Sequence, residues 1–291
     1  MLVNLKRPLV QSQLHETVGD EASQLISTVS SESWEGEEFP LPRKDEPGIL
    51  VSLHKLKELE RIDIFDERKV TIGALVTARE IQKRVELRDI YMALSEGADS
   101  LGSPLVRARG TLGGNFCNAR PAADMVIPSI CLGAKLTLTS SKGERTVDSA
   151  DFILAPGKTI LANGEILTSI LFSLPARSGS AYYKLAQRKA LDISVVGVAS
   201  AVTLTEDGNV ERVRTTLGAV GPTPLIASSV EPILTGKHPT EDLLVKAAQA
   251  AGTDAVPIDD HRGSAEYRRH MVEVLTGRTL AQAIKRAGGE L

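Results

Sequence analysis

The residues best suited to chemistry lie between 102 and 124, where the chain reads GSPLVRARGTLGGNFCNARPAAD. Gly113 and Gly114 stand side by side with Thr111 and Asn115 close on either side, so a hydroxyl and an amide flank a pair without side chains. Glycine lets a backbone approach a ligand closely and point N–H groups at an anion. A pyrophosphate is the natural guest; a tight turn or bulge is the competing explanation. Arg107, Arg109 and Arg120 bracket the pair, and Lys184, Arg188 and Lys189 follow downstream. Taken singly, such cations are usually a solvated face. Asn115, Asn118 and Asp124 can orient sugar hydroxyls, and Pro121 limits the local backbone. The combination favours a phosphate-containing cofactor. It is not a dinucleotide fingerprint, because no G-x-G-x-x-G opens a helix after a strand, and no complete Walker A pattern occurs.

Other chemistries find less support. Residues 110–114 contain no serine, so they make no nucleophile elbow. The five histidines, His15, His54, His238, His261 and His270, show no metal-ligand spacing and read as surface or capping residues. Cys117 sits beside cationic residues that could lower its pKa, but no histidine is near in sequence, and a small buried cysteine is the commoner case. Cys131 lies in an apolar run and reads as core. Two cysteines cannot build a disulfide framework, a four-cysteine zinc site or a cysteine-ligated iron–sulfur cluster. No catalytic residue and no metal site is therefore assigned. Near the C-terminus, residues 259–269 lead into an amphipathic helix with Ser264 as N-cap and Met271, Val274 and Leu275 as an apolar stripe. This is helix packing or a subunit interface.

These residues need a scaffold, and the 291-residue length suggests two domains or one large one. A hydrophobic fraction of 42% supports a real core, and a net charge of −3 argues against a nucleic-acid binder that relies on bulk electrostatics. No signal peptide and no membrane span is evident, so the expectation is a soluble, cytoplasmic protein. A short helix is expected at 15–26. Residues 27–48, with three prolines and no apolar periodicity, read as a loop or disordered segment. Strands are expected at 49–53 and 69–73. Thr77 and Glu80 form a capping-box pattern before a helix at 78–85, and a second helix spans 89–97. A motif-bearing loop occupies 102–124, a helix 125–132 and a strand 135–140. Residues 147–154 and 165–174 complete an α+β pattern. Small and polar residues at 175–179 suggest a domain boundary. The second part starts with a hairpin, 194–205 and 210–220, turned at Glu206-Asp207-Gly208-Asn209. Helical candidates follow at 227–234, 240–251 and 266–284.

TLGGNFCNARPAAD at 111–124 resembles the second FAD-binding motif of the flavin subunit of molybdenum hydroxylases, the xanthine dehydrogenase and carbon monoxide dehydrogenase family. Thr71-Ile72-Gly73-Ala74 through Thr77, residues 165–170, Tyr183 to Arg188 with Leu191-Asp192-Ile193, and Asp260 to Arg269 resemble further segments of the family in the same order. The ordered set covers residues 49–285 and is far more specific than the glycine motif alone. The resemblance implies an FAD-binding domain of the vanillyl-alcohol-oxidase-like (PCMH) type at 1–176. A C-terminal domain of antiparallel sheet and helical bundle would follow at 177–291. It also implies roles. Thr111, Leu112, Gly113, Gly114 and Asn115 would hold FAD phosphates, and Asp124 a ribose hydroxyl. Leu101 and Leu167 would line the cofactor. Lys184 would lie near the flavin and Ile193 at its ring face. Hydroxylation would belong to a large molybdopterin subunit. A small subunit with two [2Fe–2S] clusters would pass electrons to FAD, and FAD to NAD or another carrier, in a dimer of heterotrimers with no nucleic acid and no membrane span. The two cysteines then imply that this chain also lacks the extra cluster some relatives insert.

One departure stands out. The family carries a first FAD motif, an AGG-type loop, where this chain has Thr28 to Trp34, TVSSESW, and no Gly-Gly occurs before position 113. A compensated frameshift, a loop that binds FAD differently, and a structural subunit that has lost FAD are all open on the sequence.

Overall fold

The computed structural model describes residues 2–4 and 50–291, with 54, 67, 189 and 190 excepted. The helix expected at 15–26, the segment 27–48 with its departure at Thr28 to Trp34, and Lys189 lie outside the described residues.

Short strands β1 (Leu2–Asn4) and β2 (Leu50–Ser52) pair antiparallel. A hairpin follows, β3 (Ile62–Asp66) and β4 (Lys69–Gly73). Next come six helices: α1 (Ala78–Lys83), α2 (Val85–Ile90), α3 (Met92–Ser100), α4 (Pro104–Arg107), α5 (Leu112–Cys117) and α6 (Val126–Cys131). Strands β5 (Lys135–Ser140), β6 (Gly143–Asp148), β7 (Ile153–Ala155), β8 (Lys158–Thr159) and β9 (Ile166–Ser173) complete the first part. Five of these strands form one antiparallel sheet in the order β3-β4-β9-β5-β6. Strand alternation puts every second residue on one face. Val70 and Ile72 of β4, Leu136 and Leu138 of β5, and Ile170 and Phe172 of β9 are all buried there against Leu87, Tyr91, Leu94, Phe116 and Met125 from the helices. Tyr91 packs its ring 5.6 Å from that of Phe172 and donates its hydroxyl to the Arg68 carbonyl at 2.6 Å. The capping box forms as expected: the Thr77 hydroxyl accepts from Glu80 N–H, and the Glu80 carboxylate accepts from Thr77 N–H. The segment 102–124 is not a continuous loop. It holds α4 and α5, and the glycine pair lies in the first turn of α5.

The second part opens on a strand that propensity did not mark, β10 (Ser178–Leu185). The expected hairpin follows as β11 (Val196–Leu204) and β12 (Val210–Gly218), and β13 (Leu225–Ile226) finishes a four-stranded antiparallel sheet in simple order. After α7 (Glu231–Leu234) come two long helices, α8 (Glu241–Asp254) and α9 (Ala265–Arg286); α9 packs on β10 and β11, and α8 packs on α9. Thr240 and Ser264 cap them through their hydroxyls. Val198, Val202, Val213 and Leu217 meet Leu244, Val272, Leu280 and Ile284 in a second core. This matches the expected α+β class: helices and antiparallel sheet segregated in each part.

The two parts are joined through β10. As an edge strand it exposes one row of backbone groups, and α3 closes that row. Glu96 accepts from Tyr182 N–H at 2.7 Å and from Arg286 at 2.6 Å, while Ser180 Oγ accepts from Ala93 N–H at 3.2 Å. Ala93, Ile127, Cys131, Tyr182 and Ala199 form a small apolar cluster between the parts. On its other side β10 touches the last turns of α9 at Gly179, where an added Cβ would stand 2.2 Å from the Ala283 carbonyl oxygen and 2.4 Å from the Ala287 nitrogen. Both obstacles are backbone and cannot swing away. Gly179→Ala should therefore cost about 3 kcal/mol of stability, the upper range for overpacking. Denaturant unfolding of the purified chain measures it, and a loss within error of zero would disprove this packing.

Candidate functional site

Between α5 and α6 the first part turns through Pro121-Ala122-Ala123-Asp124, and this turn carries a carboxylate into the seam between the two parts. Asp124 is only 4% exposed. A buried carboxylate needs donors and a counter-charge. Lys184 supplies both, with Nζ 2.8 Å from Oδ2. Tyr182 OH donates to Oδ1 at 2.9 Å, and Ser194 Oγ donates to the same oxygen at 3.0 Å. All three donors come from the second part. Tyr182 and Lys184 are two residues apart on β10 and so share a face; Ser194 precedes β11. Lys184 also donates to the Ser100 carbonyl at the end of α3, 3.1 Å away. Burial pushes the Asp124 carboxyl up from its ordinary value, and the Lys184 ammonium pulls it back. Burial first, and then the Asp124 charge, holds the Tyr182 phenol well above its ordinary value, so it stays a donor.

Beside this cluster lies an apolar ledge. Leu191 N–H donates to the Gly102 carbonyl at 3.2 Å, which draws the loop after β10 onto the turn after α3. Leu191 is 63% exposed and Ile193 55% exposed. Leu101 is half-buried next to them and its carbonyl accepts from Arg107 at 3.1 Å. Leu191 takes a φ of 55°, the left-handed region that an ordinary side chain resists. The structure thus brings Leu101, Asp124, Lys184 and Ile193 together at one seam. Leu167 stands apart from this group: it lies in β9 opposite Leu138 of β5, with its side chain fully buried in the first core.

The glycine pair does something other than wait for an anion. Leu112 N–H donates to Val76 and Gly113 N–H to Ala74, both at 2.9 Å; Gly114 N–H donates to the Thr111 hydroxyl at 3.0 Å and Asn115 N–H to the Thr111 carbonyl at 2.9 Å. All four N–H groups are committed inside the chain. A Cβ on Gly113 would stand 2.5 Å from Ala74 Cβ, and one on Gly114 2.8 Å from Thr111 Oγ1. The glycines let α5 lie directly on the chain leaving β4. What the motif keeps for a ligand is side-chain chemistry. Asn115 spends Oδ1 on Met125 N–H at 3.0 Å, and exposed Arg109 and Arg120 flank the turn. A flavin dinucleotide needs an apolar face for its ring, a polar group at the ring's edge and positive charge for its phosphates. The ledge, Lys184 and the two arginines supply those three, so the donor set fits.

Tyr182, Ser194 and Ser100 belong to the site although sequence alone did not select them. The i, i+2 spacing of Tyr182 and Lys184 was the one available signal. Burial pushes the Cys117 thiol up to about 12, which leaves no thiolate for nucleophilic work. Cys131 is buried as expected. Among the described residues no group of three or more His, Cys, Asp or Glu could hold a metal ion, and no helix is long and apolar enough to cross a membrane.

The Asp124–Lys184 pair makes a sharp stability prediction. Lys184→Met leaves a buried carboxylate without its cation and should cost about 3 kcal/mol. Adding Asp124→Asn to that variant removes the orphaned charge, so the double variant should be more stable than Lys184→Met alone. Denaturant titration of the three proteins decides it; a double variant less stable than the single would refute the pairing.

A family model described as the FAD binding domain in molybdopterin dehydrogenase matches residues 41–176, and one described as the CO dehydrogenase flavoprotein C-terminal domain matches residues 181–283. The xanthine dehydrogenase FAD-binding subunit of Escherichia coli O157:H7 is 31% identical over 83% of this chain and 83% of its own. The carbon monoxide dehydrogenase medium chain of Afipia carboxidovorans is 34% identical over the same shares, 83% and 83%. The solved carbon monoxide dehydrogenase from Hydrogenophaga pseudoflava superposes with a TM-score of 0.78 at 31% identity, over 84% of each chain. These matches lend no support to a flavin-free structural subunit. Two matched domains in order, and relatives of this identity across most of their length, place the chain in the family of FAD-binding subunits of molybdenum hydroxylases, with xanthine dehydrogenase and carbon monoxide dehydrogenase.

Proposed function

We propose that this chain is the subunit through which a molybdenum hydroxylase complex passes electrons, taking them from [2Fe–2S] clusters of a small partner and delivering them through FAD to an outside acceptor such as NAD or another carrier. Substrate hydroxylation belongs to a molybdopterin-binding large partner, and the assembly is a dimer of heterotrimers in the cytoplasm. The domains divide as 1–176 and 177–291. The observation that carries this proposal is the buried Lys184–Asp124 pair standing beside the exposed Leu191–Ile193 ledge at the seam.

FAD, when bound, supplies the one- and two-electron redox chemistry that no side chain here can provide. The chain's own residues bind, orient and shield it. Ile193 and Leu101 offer apolar contact that keeps water from the ring. Lys184 places its ammonium near the ring, held directly by the Asp124 carboxylate and the Ser100 carbonyl, while Tyr182 and Ser194 fix that carboxylate in turn; an oriented N–H donor there favours added electron density. Asp124 is assigned to a ribose hydroxyl through lone pairs its three donors leave free. Thr111, Leu112, Gly113, Gly114 and Asn115 are assigned to the phosphates. With their N–H groups committed within the chain, the neutralising charge falls to Arg109 and Arg120 and the hydrogen bonding to the Asn115 amide. Leu167 acts from the core, by fixing β9 beneath the site.

The test is reconstitution. The purified chain should show a flavin absorption band, or gain one on incubation with FAD, and release FAD on denaturation. At a hundredfold excess over its Kd, FAD should stabilise the chain by about 2.7 kcal/mol. A colourless protein that gains neither absorbance nor stability would overturn the proposal.

A further inference from the structure

Residues 259–269 make a motif to which the site described so far gives no work, yet they connect to both of its sides. Asp260 and Gly263 form a reciprocal backbone pair, each N–H donating to the other's carbonyl at 3.2 Å. Within that turn the Asp260 carboxylate accepts from Arg262 N–H at 2.7 Å, from the Arg262 guanidinium and from Arg268. Arg268 is 5% exposed, unusual burial for a guanidinium. Its other end-group nitrogen donates to the Ala219 carbonyl at 2.9 Å. Ala219 holds a φ of 62°, a strained value for alanine, and its N–H donates to Pro121 at 2.9 Å, three residues before Asp124. On the opposite side, the Arg262 carbonyl accepts from Gln187 Nε2 at 3.2 Å, and Gly263 sits close enough to Val195 that an added Cβ would touch Val195 Cγ1 at 3.6 Å. Gln187 and Val195 bracket Ile193.

One carboxylate and one buried guanidinium therefore tie together the two strips that meet at the seam: 121–124 through Ala219, and the loop bearing Leu191 and Ile193 through Arg262. We propose that Asp260 and Arg268 are positioning residues, a latch that sets the spacing between the Asp124 carboxylate and the Ile193 ledge and so shapes the surroundings of the flavin. This rests on the flavin assignment above. The Arg262 N–H and the Arg268 guanidinium hold the Asp260 carboxyl down to about 2, so the latch stays charged at neutral pH. Arginine is required because its planar fork reaches two acceptors at once, which an ammonium on a shorter stem cannot reproduce.

The test uses the full-length protein with Gln187→Ala, Asp260→Asn and Arg268→Lys. Gln187 is exposed, so its variant folds even if a change at buried Arg268 does not. Hydrogen exchange is read at 122–124, 186–188 and 191–195, without added FAD. Circular dichroism of the flavin band is read with FAD bound. Gln187→Ala should speed exchange about fivefold at 186–188 and 191–195 only, the loss expected for one hydrogen bond of ~1 kcal/mol. Asp260→Asn should speed it at both strips and change the flavin dichroism, and Arg268→Lys, which cannot span both acceptors, should do the same. Unchanged exchange in Gln187→Ala and Asp260→Asn, or wild-type exchange and dichroism in Arg268→Lys, overturns the latch. A wild-type chain that takes up no FAD defeats the flavin assignment instead, and exchange in the flavin-free chain still decides whether the latch holds the loop.

Discussion

A carboxylate buried at a domain seam can be tolerated only if its partners come with it, and Asp124 draws all its side-chain donors from across that seam. The ionised group costs several kcal/mol to desolvate, and removing one partner leaves that cost uncompensated. The two parts of the chain are thus not free to drift apart by small amounts. Tyr182, Lys184 and Ser194 must reach Asp124 together or leave a charge without a counter-charge. Apolar packing adds to this at Ile127 and Tyr182, but it is not directional. The ion pair supplies the geometry, and the apolar cluster supplies much of the energy.

The glycine pair shows a related economy. Sequence reasoning assigns adjacent glycines to a ligand because both need a backbone without Cβ. Here close approach is used first within the protein, between Gly113 and Ala74. The turn that results brings Asn115 to Met125 and so starts α6 from a fixed point, one residue after Asp124. The motif therefore places the seam carboxylate even before any ligand is considered. A pattern can be tied to a cofactor family and still have its first physical role in packing.

Much of this was legible in the residues. Thr77 with Glu80, the hairpin turned at Asp207-Gly208, and the long helix begun by Ser264 each rest on local rules, and each formed. The failures share a cause as well. Residues 102–124 look like a loop because glycine, proline and asparagine break helices, yet α4 starts on Pro104, where proline is harmless, and α5 uses glycine for packing. Strand β10 was hidden behind a cluster of small residues that reads as a linker, and its pairing with β11 is set by long-range burial. Asp124 and Lys184 were each selected, but for separate roles. Nothing local in the sequence says that residues 60 positions apart form an ion pair.

That pair also settles a question that an edge strand always raises. With β11 on one side only, β10 could slip by one residue, and a slip of one reverses which face each side chain occupies. Such a slip would turn Tyr182 and Lys184 away from Asp124 and present Tyr183, now exposed, to a buried carboxylate with no cation. The same slip would move Tyr182 N–H off Glu96 and Ser180 off Ala93. Two carboxylates of the first part therefore read the register of one strand of the second, Glu96 through its backbone and Asp124 through its side chains. Tyr182 answers to both at once. The position of Lys184 at the seam follows from strand register, so any chemistry assigned to that ammonium inherits the precision of a paired sheet and not that of a loop.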